Sequence, residues 1–271
     1  MRVSKSKIIG GIYVVVGVVI IIVAFHMPSG SGKGSVSVAT STVKSLAGVS
    51  SVVATSSALA PVAVLRTATG AEKSFSIDPR DTNFSWRLSN TAPATVIQKS
   101  NQEIHTLLGE LHKGKYPDYD IYLQLGQEYE ILGEGKQAYE NYRTAGALSP
   151  SQGVAMNDIG SLMAHLGALH TAQNAYAQSV ARQPAVSLFW VSYLTFLTQY
   201  EPKATGTPAV FAQARKITHD NTNVLIIEAQ WLASIGRNKE AISDWKIVRA
   251  RVSGEQQRAI DERIAKLNAR A

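Results

Sequence analysis

The residue types that carry most protein chemistry are sparse or scattered in this chain. No cysteine is present, which removes thiolate nucleophiles, disulfides, Cys-ligated zinc, iron–sulfur clusters and bacterial lipid attachment together. Ser29 to Ser35 (SGSGKGS) is superficially like a phosphate-binding loop. However, Gly34 follows the Gly32-Lys33 pair where Ser or Thr is required, and Met27 stands where the first glycine belongs. The stretch therefore reads as linker. Ser41 and Lys44 have the Ser-x-x-Lys spacing of penicillin-binding enzymes, but the Ser-Asp-Asn and Lys-Thr-Gly companions are missing. The six histidines form no His-Glu-x-x-His. His105 and His112 are seven apart and His165 and His170 flank a predicted turn, without further ligands to converge on a metal. No pair of carboxylates stands apart from the general solvated charge, so acid–base catalysis has no candidate. The expectation is a protein that is not an enzyme and holds neither cofactor nor metal. The alternative is an enzyme with an unrecognised site, which a deep pocket with converging titratable groups would favour.

The net charge of +7 would ordinarily raise nucleic acid as a partner, but its distribution argues otherwise. Before Ala71 the charged residues are Arg2, Lys5, Lys7, Lys33, Lys44 and Arg66, all basic. Everything after them is nearly neutral, so no nucleic-acid partner is expected. Ile8 to Phe25 is an uncharged apolar run of 18 residues. As a helix it spans roughly 27 Å, close to the hydrocarbon thickness of a bilayer. Residues 1–7 carry three basic residues ahead of it and only Lys33 lies close behind. The positive-inside rule then predicts a cytoplasmic N-terminus, a single membrane span over 8–25 that engages the lipid bilayer, and an extracytoplasmic remainder, as in a bacterial envelope. A cleaved signal peptide, leaving a secreted or periplasmic protein, is the competing reading. The apolar run is longer than such segments usually are, and HMPSGSGKG offers no small-residue cleavage site. Residues 26–70 are rich in Ser, Thr, Ala, Val and Gly and lack aromatics, which predicts a flexible linker. Residues 71–118 are read as partly ordered. Phe75, Phe84 and Trp86 lie in its first part, and a capping helix is expected at about 95–112 on the spacing of Ile97, Ile104, Leu108 and Leu111, with Thr95 and Gln98 as a capping box.

Beyond Tyr116 the sequence repeats. Gly126 corresponds to Gly160, Gly133 to Gly167, Ala138 to Ala172, Tyr142 to Tyr176 and Pro150 to Pro184, each 34 residues on. Such a fixed offset indicates stacked supersecondary units. Leu125, Tyr129 and Leu132 recur at helical period; Gly133 and Gly135 break that helix, and Ala138, Tyr142 and Ala145 stripe a second one. Small residues at Gly126 and Ala138 allow the two helices to approach, and Pro150 ends the hairpin.

With Tyr122, Leu125, Gly126, Tyr129, Ala138, Tyr142, Ala145 and Pro150 in place, the first unit resembles the tetratricopeptide repeat (TPR) family. The second follows through Gly160, Gly167, Ala172, Tyr176 and Pro184. A third starts near Ser187 with Trp190, Phe211 and Ala214, but Tyr193 and Leu194 replace the Leu-Gly pair and EPKATGTP lengthens its turn. A fourth runs from about Thr222 with Ala229, Gly236, Ala241 and Trp245. The predicted fold is an all-α, TPR-like helical-hairpin solenoid of four repeats over 119–252, closed by a capping helix at 253–271 that begins at a Ser253/Gln256 capping box.

The resemblance implies a scaffold or a protein- or peptide-binding module whose partner lies in the concave groove lined by the first helix of each hairpin. On the first two units those positions are Leu123, Gln127, Glu130, Asn157, Ser161 and His165; on the last two they are Val191, Thr195, Ile226 and Gln230. Relatives that grip a C-terminal carboxylate carry cations there, and this groove lacks them. Charge also changes along the array, from −3 over 119–152 to +4 over 237–271, a gradient able to orient a partner.

Overall fold

The computed structural model describes residues 75–89 and 92–270. The N-terminal segment 1–7, the expected membrane span 8–25 and the linker 26–70 lie outside the described residues. No helix among the described residues is long and apolar enough to cross a membrane.

Among these residues ten helices follow one another: α1 (Ala94–Glu110), α2 (Asp118–Ile131), α3 (Gly135–Leu148), α4 (Val154–His165), α5 (Leu169–Arg182), α6 (Ser187–Tyr200), α7 (Thr207–Thr218), α8 (Thr222–Ser234), α9 (Asn238–Arg249) and α10 (Gly254–Asn268). They pair as hairpins α2/α3, α4/α5, α6/α7 and α8/α9, and each hairpin stacks on the next through α3 on α4, α5 on α6 and α7 on α8. First helices also meet directly, α4 with α6 and α6 with α8. The described region is an all-α, TPR-like array.

Two local features of the repeat set the hairpin geometry. The first is the turn: Gly133, Gly167 and Gly236 all adopt positive φ (77°, 84° and 83°). A left-handed residue here lets the next amide reach back to the last helical turn. Glu134 N donates to the Tyr129 carbonyl at 2.9 Å, Ala168 N to Met163 at 2.8 Å and Arg237 N to Leu232 at 2.8 Å. The second is a close approach. A Cβ on Gly126 would lie 2.3 Å from the Tyr142 ring, and one on Gly160 would lie 2.8 Å from Tyr176. The tyrosines thus occupy the space the glycines leave, next to the fully buried Ala138 and Ala172.

The third hairpin departs from this scheme, since Glu201 follows α6 where the others place a glycine. Two indoles stitch it in place: Trp190 Nε1 donates to the Pro184 carbonyl and Trp231 Nε1 to the Pro202 carbonyl, both at 2.7 Å. Trp190, Phe211 and Trp245 are fully buried in this half, where the Phe211 and Trp231 rings stack at 5.0 Å.

At the two ends the expected caps differ from the structure. Helix α1 starts behind Pro93 with no side-chain cap, so Thr95 lies inside the first turn instead of at its start. Ser253 does precede α10, but the chain enters through Gly254 at φ 62° and the hydroxyl makes no capping bond. On α1 the buried stripe is Ser100, Ile104 and Leu107, of which Ile104 and Leu107 pack with Ile121 and Leu125 of α2, whereas Leu108 is 50% exposed. Leu107 and Leu108 both fit helical spacing from Ile104, and the position of α2 selects between them. Helix α10 buries Ile260 and Leu267 against α9.

Residues 75–89 form a non-helical strap over the second helices of the first two hairpins. Phe75 is buried and its carbonyl accepts from Tyr139 Oη at 3.3 Å. Asp78 N donates to Thr171 Oγ1 at 2.9 Å. Asp81 sits at the N-terminus of α5 and accepts from His170 N, Thr171 N and Thr171 Oγ1 at 3.2, 2.6 and 2.6 Å. These amides are the orphan donors of a helix start, and a carboxylate suits the positive end of the helix dipole. The strap then returns to α3. Trp86 packs on Tyr139 at 5.4 Å, its carbonyl passes so close to Gly135 that a Cβ there would be 2.5 Å away, and Leu88 N donates to the Gly133 carbonyl.

Candidate functional site

The groove residues named from the sequence lie on α2, α4, α6 and α8, as the hairpin register requires. Two of them do not face solvent. Leu123 is 2% exposed and Val191 6%. On α2, Ile121, Leu123 and Leu125 are all buried, so that helix is enclosed on more than one side. Helix α6 is touched by α4, α5, α7 and α8, leaving little free surface around Val191. These two residues pack the core and are corrected from the binding set. Gln127, Glu130, Asn157, Ser161, Thr195, Ile226 and Gln230 are half-buried, and His165 is exposed. The polar members on α2 and α4 come together, while Thr195, Ile226 and Gln230 lie farther along the array and take no part in that cluster.

At the centre of the cluster are two carboxylates. Glu130 Oε2 accepts from Tyr142 Oη at 3.0 Å. Glu130 Oε1 faces His165 Nδ1 at 3.9 Å, a charge contact longer than a hydrogen bond. The second carboxylate is Asp158, on the turn of α4 that packs toward the first hairpin. Asp158 Oδ1 receives a long 3.4 Å contact from Asn157 Nδ2. Asp158 keeps some surface overall, yet its Oδ2 is sealed from solvent and has no hydrogen-bond partner among the described residues; the same holds for Asn157 Oδ1.

The electrostatics follow from this geometry. Desolvation, then the nearby Glu130 charge, push the Asp158 carboxyl up to about 7, against smaller lowering by the Asn157 and Gln127 amides. His165 moves upward because Glu130 favours its charged form. Burial drives the Tyr142 and Tyr176 phenols well up, so both remain neutral donors. The cluster is therefore rich in acceptors and has one modest cation, the exposed His165, beside it.

Asp158 was absent from the residues expected at the groove. Its signal in the sequence is a lone acidic residue within the apolar run VAMNDIGSLMAHL, where a charge on a helix enclosed by neighbours calls for a partner. A second, half-buried polar group joins the last two hairpins. Arg215 on α7 meets Asp220 at 2.6 Å, Glu228 of α8 at 3.2 Å and Asp244 of α9 at 3.0 Å. Desolvation raises the Glu228 and Asp244 carboxyls, and Arg215 opposes it. This group is saturated with internal partners and ties three helices together. Among the described residues no set of three or more His, Asp and Glu side chains has the arrangement to hold a metal ion.

No protein-family model and no curated protein matches the sequence. Among solved structures, that of pilF from Pseudomonas aeruginosa is similar to this chain at a TM-score of 0.45 and 16% sequence identity, over 65% of this chain and 87% of that one.

Proposed function

We propose that the protein is a membrane-anchored scaffold that binds a protein or peptide segment along the first-helix face of its repeats, on the extracytoplasmic side and within an envelope-associated assembly. The observation that carries the binding reading is the cluster on α2 and α4. Gln127, Glu130, Asn157, Ser161 and His165 present partly exposed polar groups on one pair of neighbouring helices, and two acceptors there lack donors. A face that served packing alone would satisfy them or replace them with apolar groups. The anchor and its orientation are supported by the apolar run at 8–25 and the basic residues before it.

The test is site-specific photocrosslinking in intact cells from the full chain. A photoreactive side chain at Asn157 or Gln127 is expected to give a discrete crosslinked species that Lys136 and Lys246, exposed on the second helices α3 and α9, do not give. Equal labelling from all four positions would count against a first-helix binding face.

A further inference from the structure

We propose that the Glu130–Asp158 end of this face seats a cationic group of the partner, the ammonium of a lysine or the guanidinium of an arginine. The inference rests on the binding-face reading and specifies the chemistry of what binds there.

The first support is the balance of donors and acceptors. Glu130 offers two carboxylate oxygens and receives one phenolic donor, from Tyr142. Asp158 Oδ2 and Asn157 Oδ1 receive none among the described residues, and both are sealed from solvent, so a ligand meets Glu130 directly and Asp158 only through its charge. A ligand suited to this set brings donors without acceptors. Lysine carries three N–H donors and arginine five, with no acceptor on either. An acidic side chain or a C-terminal carboxylate would bring the same charge and more acceptors, and its burial beside Glu130 would be opposed.

The second support is the state of the existing counter-charge. His165 is the cation beside Glu130, its side chain is 59% exposed, and it stands at 3.9 Å. Rotation of this one exposed ring frees Glu130 Oε1 without disturbing a buried contact. Glu130, at 28% side-chain exposure, is then the mouth of the site, and Asp158 lies deeper. A cation held at Glu130 acts on both carboxylates and draws the proton off Asp158, which favours the charged form beside an opposite charge. Tyr142 and Tyr176 are buried against Gly126 and Gly160, and the Tyr142 hydroxyl holds Glu130 Oε2 from beneath, which leaves Oε1 for the ligand.

The experiment uses the purified full chain and four blocked octapeptides of Ser, Ala and Leu, differing only in a central Lys, Arg, norleucine or Glu. The Lys and Arg peptides are expected to bind at least fivefold more tightly than the norleucine peptide. In Glu130→Gln that advantage falls below twofold, while the affinity of the norleucine peptide is unchanged. Near pH 7 the Lys peptide releases protons on binding, so its calorimetric heat differs between phosphate and Tris buffers. Asp158→Asn reduces the difference, and the remainder comes from His165 as its ring leaves Glu130. Equal affinity for Lys and norleucine overturns the cation site and leaves the binding face intact, as does a preference that survives both substitutions. If none of the four peptides binds, the cation site is again overturned, and the crosslinking from Asn157 decides separately whether the face binds anything.

Discussion

Asp158 shows how one residue can set a pH dependence for the whole domain. Its carboxyl rises from an ordinary 3.8 to about 7 in the folded chain, so folding binds a proton more tightly than the unfolded chain does. Below about pH 4 both states are protonated and the residue costs nothing. Between about 4 and 7 the cost builds, and above the folded value it is complete, a few kcal/mol by linkage. Asp158→Asn is accordingly expected to be more stable than the wild-type chain at pH 8 and no more stable at pH 4, in urea denaturation at the two pH values. A constant difference between them would refute the assignment. Glycines offer a second contrast. A Cβ on Gly109 of α1 would have nothing within 4 Å, whereas one on Gly126 would meet the Tyr142 ring at 2.3 Å. Gly109→Ala should gain about 0.5–1 kcal/mol from helix propensity alone. Gly126→Ala should lose about 1–3 kcal/mol net, because overpacking displaces Tyr142 and its bond to Glu130. Midpoints of chemical denaturation for the pair read both signs. The glycine pattern was legible in the sequence through the 34-residue offset. The burial of Leu123 and Val191 was not, because a helix position fixes a direction and only the neighbours decide whether that direction meets solvent.

At the scale of elements, hairpins were readable and their tethers were not. Helical period and the glycine turns are local, and they suffice to place α2 to α5. The strap over 75–89 has no period, and its partners lie far along the chain, Asp78 bonding Thr171 across 93 positions. Its key contact is Asp81 at the start of α5, with a side chain only 5% exposed. Asp81→Ala is expected to speed hydrogen exchange at the His170 and Thr171 amides and through 75–89, at a cost of about 1–2 kcal/mol. Unchanged protection there would mean that Phe75 and Trp86 suffice to hold the strap. The Arg215 junction was equally hidden, because its acidic partners come from three separate segments. Arg215→Met leaves Glu228 and Asp244 without their cation, and a loss of about 1–3 kcal/mol is expected from unpairing these carboxylates. The loss should shrink at low pH, where those raised carboxyls take up protons.

For the molecule as a whole, the excess of positive charge belongs to the first 70 residues and the repeats are nearly neutral. The proposed function accordingly gives placement in the cell and recognition of a partner to separate parts of the chain. Deleting Ile8 to Phe25 should move the protein from the membrane pellet to the supernatant after cell lysis. Recovery of the undeleted chain in the supernatant would exclude the anchor.

The route of the strap also has a mechanical side. The chain enters at Phe75 on Tyr139, crosses to the start of α5, and comes back to Gly133 before α1 begins. Tension applied from the N-terminal direction is first taken up by the Phe75 contact and then by the bonds of Asp78 and Asp81 to α5, in the middle of the first two hairpins. Helix α1, which among the described residues packs on the first hairpin, is shielded from the pull until those bonds give way. A tethered array strained in this manner would yield at the strap and keep its repeats folded.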